Sequence, residues 1–246
     1  FIEGGDHYQF SLPRHGLLYL ITLPFFYLGL LAAIKNLRRG SGRMTPVLIW
    51  LLVAALPGSL VRDAPHPLRA IFFSVPALVL VVDGTRLIFS RLRHKFIYII
   101  YVLGFGFSVV SFGLLQPGYS QGYSWSWQYG TKQAVQYAKD HYAEYDQIIF
   151  SKRYGEPHEF VLFYWPWDPT AYRTDPNLVR YGRSDWFWTD SFARFRFVND
   201  WEMMSYITTL DPSLKYLIFA GPEFPPPATD LFTINFLDGQ PAYLVK

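Results

Sequence analysis

The chain of 246 residues contains no cysteine. That excludes disulfides, thiolate metal sites and a cysteine nucleophile, and it is compatible with an oxidising exterior without requiring one. The six histidines are scattered, with no pair four residues apart, so no metal-ligand spacing is present. No glycine-rich loop opens a helix after a strand pattern, which removes the usual phosphate-cradling motif. No internal repeat is visible, and no secretory leader precedes the first apolar run. Charge is scarce too, at 17% of residues against 51% hydrophobic and 20% aromatic.

What is present divides into two halves. Residues 1–115 carry 11 Lys/Arg against 4 Asp/Glu, and residues 116–246 carry 11 against 15. The net charge is therefore +7 in the first half and −4 in the second, which recovers the overall +3. The basic excess lies in joints between apolar runs, where it sets membrane orientation; it is not a nucleic-acid signal. The expected fold is an α-helical transmembrane bundle over 1–115, followed by a soluble mixed α/β domain over 116–246. The chain opens on Phe1 and is read as the C-terminal part of a longer protein.

Four apolar runs follow an N-terminal loop that includes Asp6, His7 and Tyr8. Gly16–Ile34 carries no charge and is long enough for a hydrocarbon core of ~30 Å, with Pro24 tolerated inside it. Pro46–Val61 is short for a span, with Pro46 at its first turn and Pro57-Gly58 loosening its last. Leu68–Phe89 takes Pro67 as its first helical position, and Asp83 and Arg86 are spaced to pair on it. Phe96–Leu115 carries Gly104, Gly106 and Gly113 for close helix contact and ends at Gln116-Pro117-Gly118. Tyr119, Tyr123, Trp125, Trp127 and Tyr129 then suit an interfacial aromatic belt. The joints at 35–43 and 86–95 hold eight of the eleven basic residues in this half. The positive-inside rule makes those joints cytoplasmic, which puts the 62–69 turn and residues 116–246 outside the inner, plasma membrane.

Past residue 128 the pattern changes. Gln128–Tyr142 reads as an amphipathic helix, Gln147–Ser151 as a buried strand, Glu159–Tyr164 as a short helix, Trp201–Leu210 as a helix and Lys215–Ala220 as a strand. Asp230–Leu237 and Ala242–Val245 flank Asp238-Gly239, a hairpin signal. The tract Pro166–Asp190 reads as loop, as does Glu223–Pro227.

Three stretches could carry chemistry. Gly118-Tyr-Ser-Gln-Gly122 matches the serine-hydrolase pattern, but that chemistry needs a strand before the serine and ordered Asp and His partners after it, and neither is evident. The aromatic segment Trp165-Pro-Trp-Asp-Pro169 reads as a rigid, partly buried loop rather than a sugar-stacking platform. The turn RDAPHPLRAIFFSVP, Arg62–Pro76, gathers Arg62, Asp63, His66 and Arg69 at the edge of an apolar region. Guanidinium forks match phosphate oxygens, and prolines stiffen the frame that carries them. Headgroup snorkelling of the arginines is the rival reading.

This basic, proline-containing turn opening into LRAIFFSVP resembles the late membrane helices of GT-C glycosyltransferases. Protein mannosyltransferase-like and aminoarabinose transferase-like enzymes are the groups it is most similar to. The run HGLLYLITLPFFYLGLL before a basic joint, and a C-terminal domain containing EFVLFYWPWDPTAY, resemble theirs as well. The resemblance implies a polyprenyl-phosphate-linked sugar donor, transfer to an extracytoplasmic acceptor and direct displacement at the sugar. It also implies a catalytic carboxylate in an early external loop that this stretch does not contain, so no catalytic residue is assigned. Arg62, His66 and Arg69 carry over as lipid-phosphate contacts, with Arg14 as a further one. No metal ligand is identified, and a divalent ion remains open as a cofactor. Two other classes compete: a non-catalytic membrane-anchored binding module, and a transporter, which would need polar or broken helices at mid-membrane.

Overall fold

The computed structural model describes residue 12 and residues 15–61, 66–91, 95–183, 186–223 and 232–246. The chain divides into two compact units, Phe1–Ser120 and Gln121–Lys246.

In the first unit the helices are α1 (Leu23–Arg38), α2 (Thr45–Ser59), α3 (Ser74–Arg91) and α4 (Lys95–Gly122), with short 3₁₀ turns leading into the first three. Four stretches among the described residues are long and apolar enough to cross a membrane: Leu20–Arg38, Gly42–Ser59, Ile71–Ser90 and Phe96–Gly122. Their packing depends on small residues. Phe25, Gly29 and Ala33 form a buried stripe on α1 that meets Ala77, Leu80, Val81 and Gly84 on α3. A Cβ at Gly29 would lie 2.0 Å from the Leu80 carbonyl oxygen, and one at Gly84 would lie 1.8 Å from the Phe25 carbonyl oxygen. Only glycines permit that backbone approach. The other side of the bundle is bare: Leu103, Phe107, Val110 and Leu114 on α4 are 66%, 74%, 59% and 75% exposed. A helix apolar on every face is stable in hydrocarbon and not in water.

Three expectations change here. The third helix begins at Ser74, not at Pro67; residues 67–70 form a separate turn. Pro76 has no N–H, and a start at Ser74 puts that gap in the first turn, where donors have no intrahelical partner anyway. The fourth helix runs through Pro117 to Gly122. A proline ring collides with the carbonyl four residues back, here that of Gly113, where the missing side chain leaves the backbone room to give. The close helix contact belongs to Gly29 and Gly84. A Cβ at Gly104 would lie 2.9 Å from the Ile21 side chain, whereas one at Gly106 or Gly113 would have no described atom within 4 Å.

The second unit is a seven-stranded mixed sheet. Its elements are α5 (Thr131–Asp140), β1 (Gln147–Ser151), α6 (Pro157–Tyr164), α7 (Pro169–Arg173), β2 (Val179–Arg183), β3 (Trp186–Phe192), β4 (Phe195–Val198), α8 (Met203–Thr208), β5 (Tyr216–Ala220), β6 (Phe232–Asn235) and β7 (Pro241–Val245). The strand order is β2-β3-β4-β1-β5-β7-β6, with β1 parallel to both β4 and β5 and every other pairing antiparallel. The period-two alternation of strands sorts the core onto two faces. Ile148, Phe150, Leu217 and Phe219 pack with α5 and α6, whereas Ile149, Ile218 and Ala220 pack with Met203 of α8.

The tract expected to be loop from Pro166 to Asp190 contains α7, β2 and most of β3. Asp168 caps α7 by accepting from the Thr170 N–H at 2.9 Å, with Pro169 at the first position. β2 is exposed at every residue. It has no apolar alternation, and pairing with β3 holds it. The Asp238-Gly239 hairpin is as expected, with Gly239 at φ +86° joining antiparallel β6 and β7.

Candidate functional site

The first candidate starts from a close contact between α2 and the turn that follows it. Pro57 sits inside α2, and the helix nevertheless runs on to Ser59. The Gly58 carbonyl accepts from the His66 N–H at 3.1 Å, and the His66 carbonyl accepts from the Ala70 N–H at 3.1 Å. A Cβ on Gly58 would lie 2.9 Å from the Ala70 Cβ and 3.2 Å from the His66 oxygen. The turn is thus seated on the end of α2 by glycine packing and backbone bonds. It carries a half-buried His66 and an exposed Arg69. Arg69 makes no ion pair among the described residues. Arg62, Asp63 and Arg14 lie outside the described residues, as do Asp6, His7 and Tyr8, so of the expected set the structure describes only His66 and Arg69.

Beyond this turn, an open groove of about 700 Å³ borders α3. Val75, Leu78, Val79 and Val82 supply its apolar wall, at the spacing of one helix face. Arg43 and Arg86 are among its polar lining. Asp83 and Arg86 approach to 3.8 Å, an exposed and loose pair. At 1.5 Å per residue the stretch of α3 from Val75 to Arg86 is roughly 16 Å long.

In the second unit the chemistry gathers where β1 ends between its two parallel neighbours. The β1-to-β4 and β4-to-β5 connections pass over opposite faces of the sheet, so the carboxyl end of β1 is a topological switch point. Ser151 donates to Asp200 at 2.6 Å, and Arg153 bonds both Asp200 at 3.0 Å and Glu223 at 2.6 Å. Gly221 closes over this group: a Cβ there would lie 2.7 Å from an Asp200 oxygen and 2.8 Å from Arg153 Cδ. This side is saturated and reads as structural.

The residues just after β1 are less settled. The Lys152 ammonium is buried, pairs with Asp190 and lies 5.1 Å from the Trp188 ring centre. Tyr181 donates to the same carboxylate at 3.3 Å. His158 Nδ1 and Glu156 Oε2 approach to 3.3 Å without the alignment of a hydrogen bond. Burial, with Lys152 and Arg180 adding to it, pushes His158 down to about 4, while burial raises the Glu156 carboxyl. Both groups therefore lean towards their neutral forms. The sequence reading had singled out none of these residues, because they come from a loop, a helix and two strands with no common spacing.

Two other expectations resolve here. Ser120 of the GxSxG match lies inside α4 and accepts from Gln116 at 2.9 Å, so it is not on a strand-to-helix elbow. Trp165 and Trp167 are half-buried, 5.1 Å apart, and each meets Tyr142 and Phe195 edge-on or nearly so, as a rigid partly buried loop requires. No group of three metal-ligating side chains is found among the described residues. Comparison of the chain with protein-family models, with curated proteins and with solved structures finds no match.

Proposed function

We propose that this chain is part of an integral-membrane glycosyltransferase that moves a sugar from a polyprenyl-phosphate donor to an extracytoplasmic acceptor. One observation carries the reading: the Arg69 turn, seated at the approach to α3, is followed along the same helix by an open groove with an apolar wall. That pairing suits an amphiphile with a phosphate head and a hydrocarbon tail. In such a reaction the phosphate is the leaving group, and its charge grows as the sugar departs. A fixed guanidinium lowers the barrier to the extent that it binds that developing charge better than the ground state. Arg69, with His66, Arg62 and Arg14, is the proposed phosphate contact. The catalytic base and any divalent ion remain unassigned.

A second reading is a non-catalytic lipid-binding module, favoured by Arg43 and Arg86 in the polar lining of the groove. A headgroup held there requires no chemistry. The two readings separate in one experiment on the full-length protein, supplied with a polyprenyl-phosphate sugar and an acceptor fraction. A hydrogen bond to a charged partner contributes roughly 1.5–3 kcal/mol, so Arg69→Ala should slow transfer about ten- to a hundredfold. Arg69→Lys should recover part of the loss, since a point charge replaces a fork. Unchanged transfer in a well-folded Arg69→Ala protein refutes the phosphate assignment. Lipid retention that depends on Arg43 and Arg86, with no transfer by wild-type protein, favours the module.

A further inference from the structure

In the soluble unit, α6, α7 and the exposed edge strand β2 enclose an open cleft of about 400 Å³. His158, Glu159 and Leu162 come from α6, Tyr172 and Arg173 from α7, and Arg180 from β2. Arg180 sits over Phe187, its guanidinium carbon 4.3 Å from the ring centre, and makes no ion pair or hydrogen bond to another described residue. Arg173 spends only its Nε, on the Pro169 carbonyl at 3.2 Å, which leaves the terminal nitrogens of its fork unused by described residues. Glu159 offsets one of the two charges, so the lining is net positive. The nearby Lys152 ammonium is paired with Asp190 and adds little to that field, although with Arg180 it helps to lower His158.

Tyr172 is fixed as well, donating to or accepting from Thr189 at 3.2 Å and meeting Phe192 edge-on at 5.1 Å. Leu162 and Pro169 add apolar surface beside it. Two guanidinium forks with open donors suit a planar or tetrahedral oxyanion, and stacking on an aromatic ring reduces the ordering cost of binding one. The fixed ring and its apolar neighbours suit the C–H face of a small ring. The volume is that of a small-molecule site.

We propose that this cleft binds a small organic oxyanion, a phosphate or carboxylate carried on a body the size of a sugar ring. Arg173 and Arg180 grip the charged group, and Tyr172 and Leu162 bed the ring. The proposal stands on the soluble unit alone and does not depend on the membrane helices or on glycosyl transfer.

The test uses the full chain in detergent micelles, with ligand-observed NMR titrations of glucose 1-phosphate, glucuronate, glucose and inorganic phosphate. Glucose 1-phosphate or glucuronate should bind at least tenfold more tightly than glucose. Arg180→Ala and Arg173→Ala should each weaken that ligand about tenfold, and Glu159→Gln should tighten it. All three residues are exposed, so the variants should keep the wild-type melting temperature. Equal affinity for glucose and the charged sugars, or binding unaffected by both arginine variants, overturns the proposal. Inorganic phosphate binding as tightly as glucose 1-phosphate overturns the ring-sized body. No transfer activity is measured, so a failure here is distinct from a failure of the Arg69 assay.

Discussion

Gly29→Ala tests the packing of the helical unit most directly. The added methyl carbon would stand 2.0 Å from the Leu80 carbonyl oxygen and 2.8 Å from its carbon. An ordinary contact lies at 3.4–4 Å, so α1 and α3 must part by more than about 1 Å locally. The opposing atoms are helix backbone and cannot rotate aside, which puts the cost at the upper end of the roughly 1–3 kcal/mol of an overpacked core. Separation by about 1 Å also forfeits up to half of each dispersion contact between Phe25, Ala33, Ala77 and Leu80, all buried in this seam. Alanine offers about 1 kcal/mol back in helix propensity. The net expectation is a loss of about 2 kcal/mol or more. Gly106→Ala is the matched control, because nothing lies within 4 Å of its added carbon, and it should be neutral or stabilising by up to about 1 kcal/mol. Thermal unfolding of both variants in the same detergent, followed by size-exclusion recovery, reads the difference. Gly84→Ala should behave like Gly29→Ala, since its carbon would meet the Phe25 oxygen at 1.8 Å. Equal midpoints for Gly29→Ala and Gly106→Ala would refute the α1–α3 contact.

Two further expectations concern pH and orientation. His158 titrates near 4 in the folded chain against 6.5 unfolded, so the stability it contributes is complete above about pH 6.5 and is lost as pH falls towards 4. At 1.36 kcal/mol per pH unit the limit is roughly 3 kcal/mol, and Glu156, whose raised carboxyl gains stability on protonation, offsets part of it. Melting of the sheet unit should therefore fall between pH 7 and 5 in wild type and fall less in His158→Gln; identical slopes would remove His158 as the cause. For orientation, protease added to intact cells should cleave within residues 121–246 and spare the 35–43 joint, on the basic-residue asymmetry. Cleavage at the joint with Lys246 protected would invert the assignment.

The two-part architecture was legible in composition because each half is patterned for a different environment. Long uncharged runs with basic joints mark membrane-crossing candidates, and short continuous apolar runs such as Gln147–Ser151 and Tyr216–Ala220 suit strands buried on both faces. Local turn chemistry was legible for the same reason: Asp238-Gly239 needs no distant partner to favour a hairpin. The sequence misled where the deciding partner lies far along the chain. Nothing within Val179–Arg183 marks it as a strand, since all five residues are exposed and only pairing with β3 holds it. Glycine identity alone did not separate Gly29 and Gly84, which face a backbone, from Gly106 and Gly113, which face open space.

The candidate sites divide along the same line. Arg69 and His66 stand three residues apart in a stiff turn, so sequence spacing alone could nominate them. The groups around Lys152, Asp190, Glu156, His158 and Arg180 are unremarkable in sequence. They meet because β1 ends between parallel neighbours while β2 and β3 fold back beside β4, and only the sheet order sets that meeting. A charged side chain alone on a strand costs little in water, but burial beside a second charge changes which form is stable. Tertiary structure therefore lowers His158 and raises the Glu156 carboxyl, because desolvation belongs to the fold and not to the residue type.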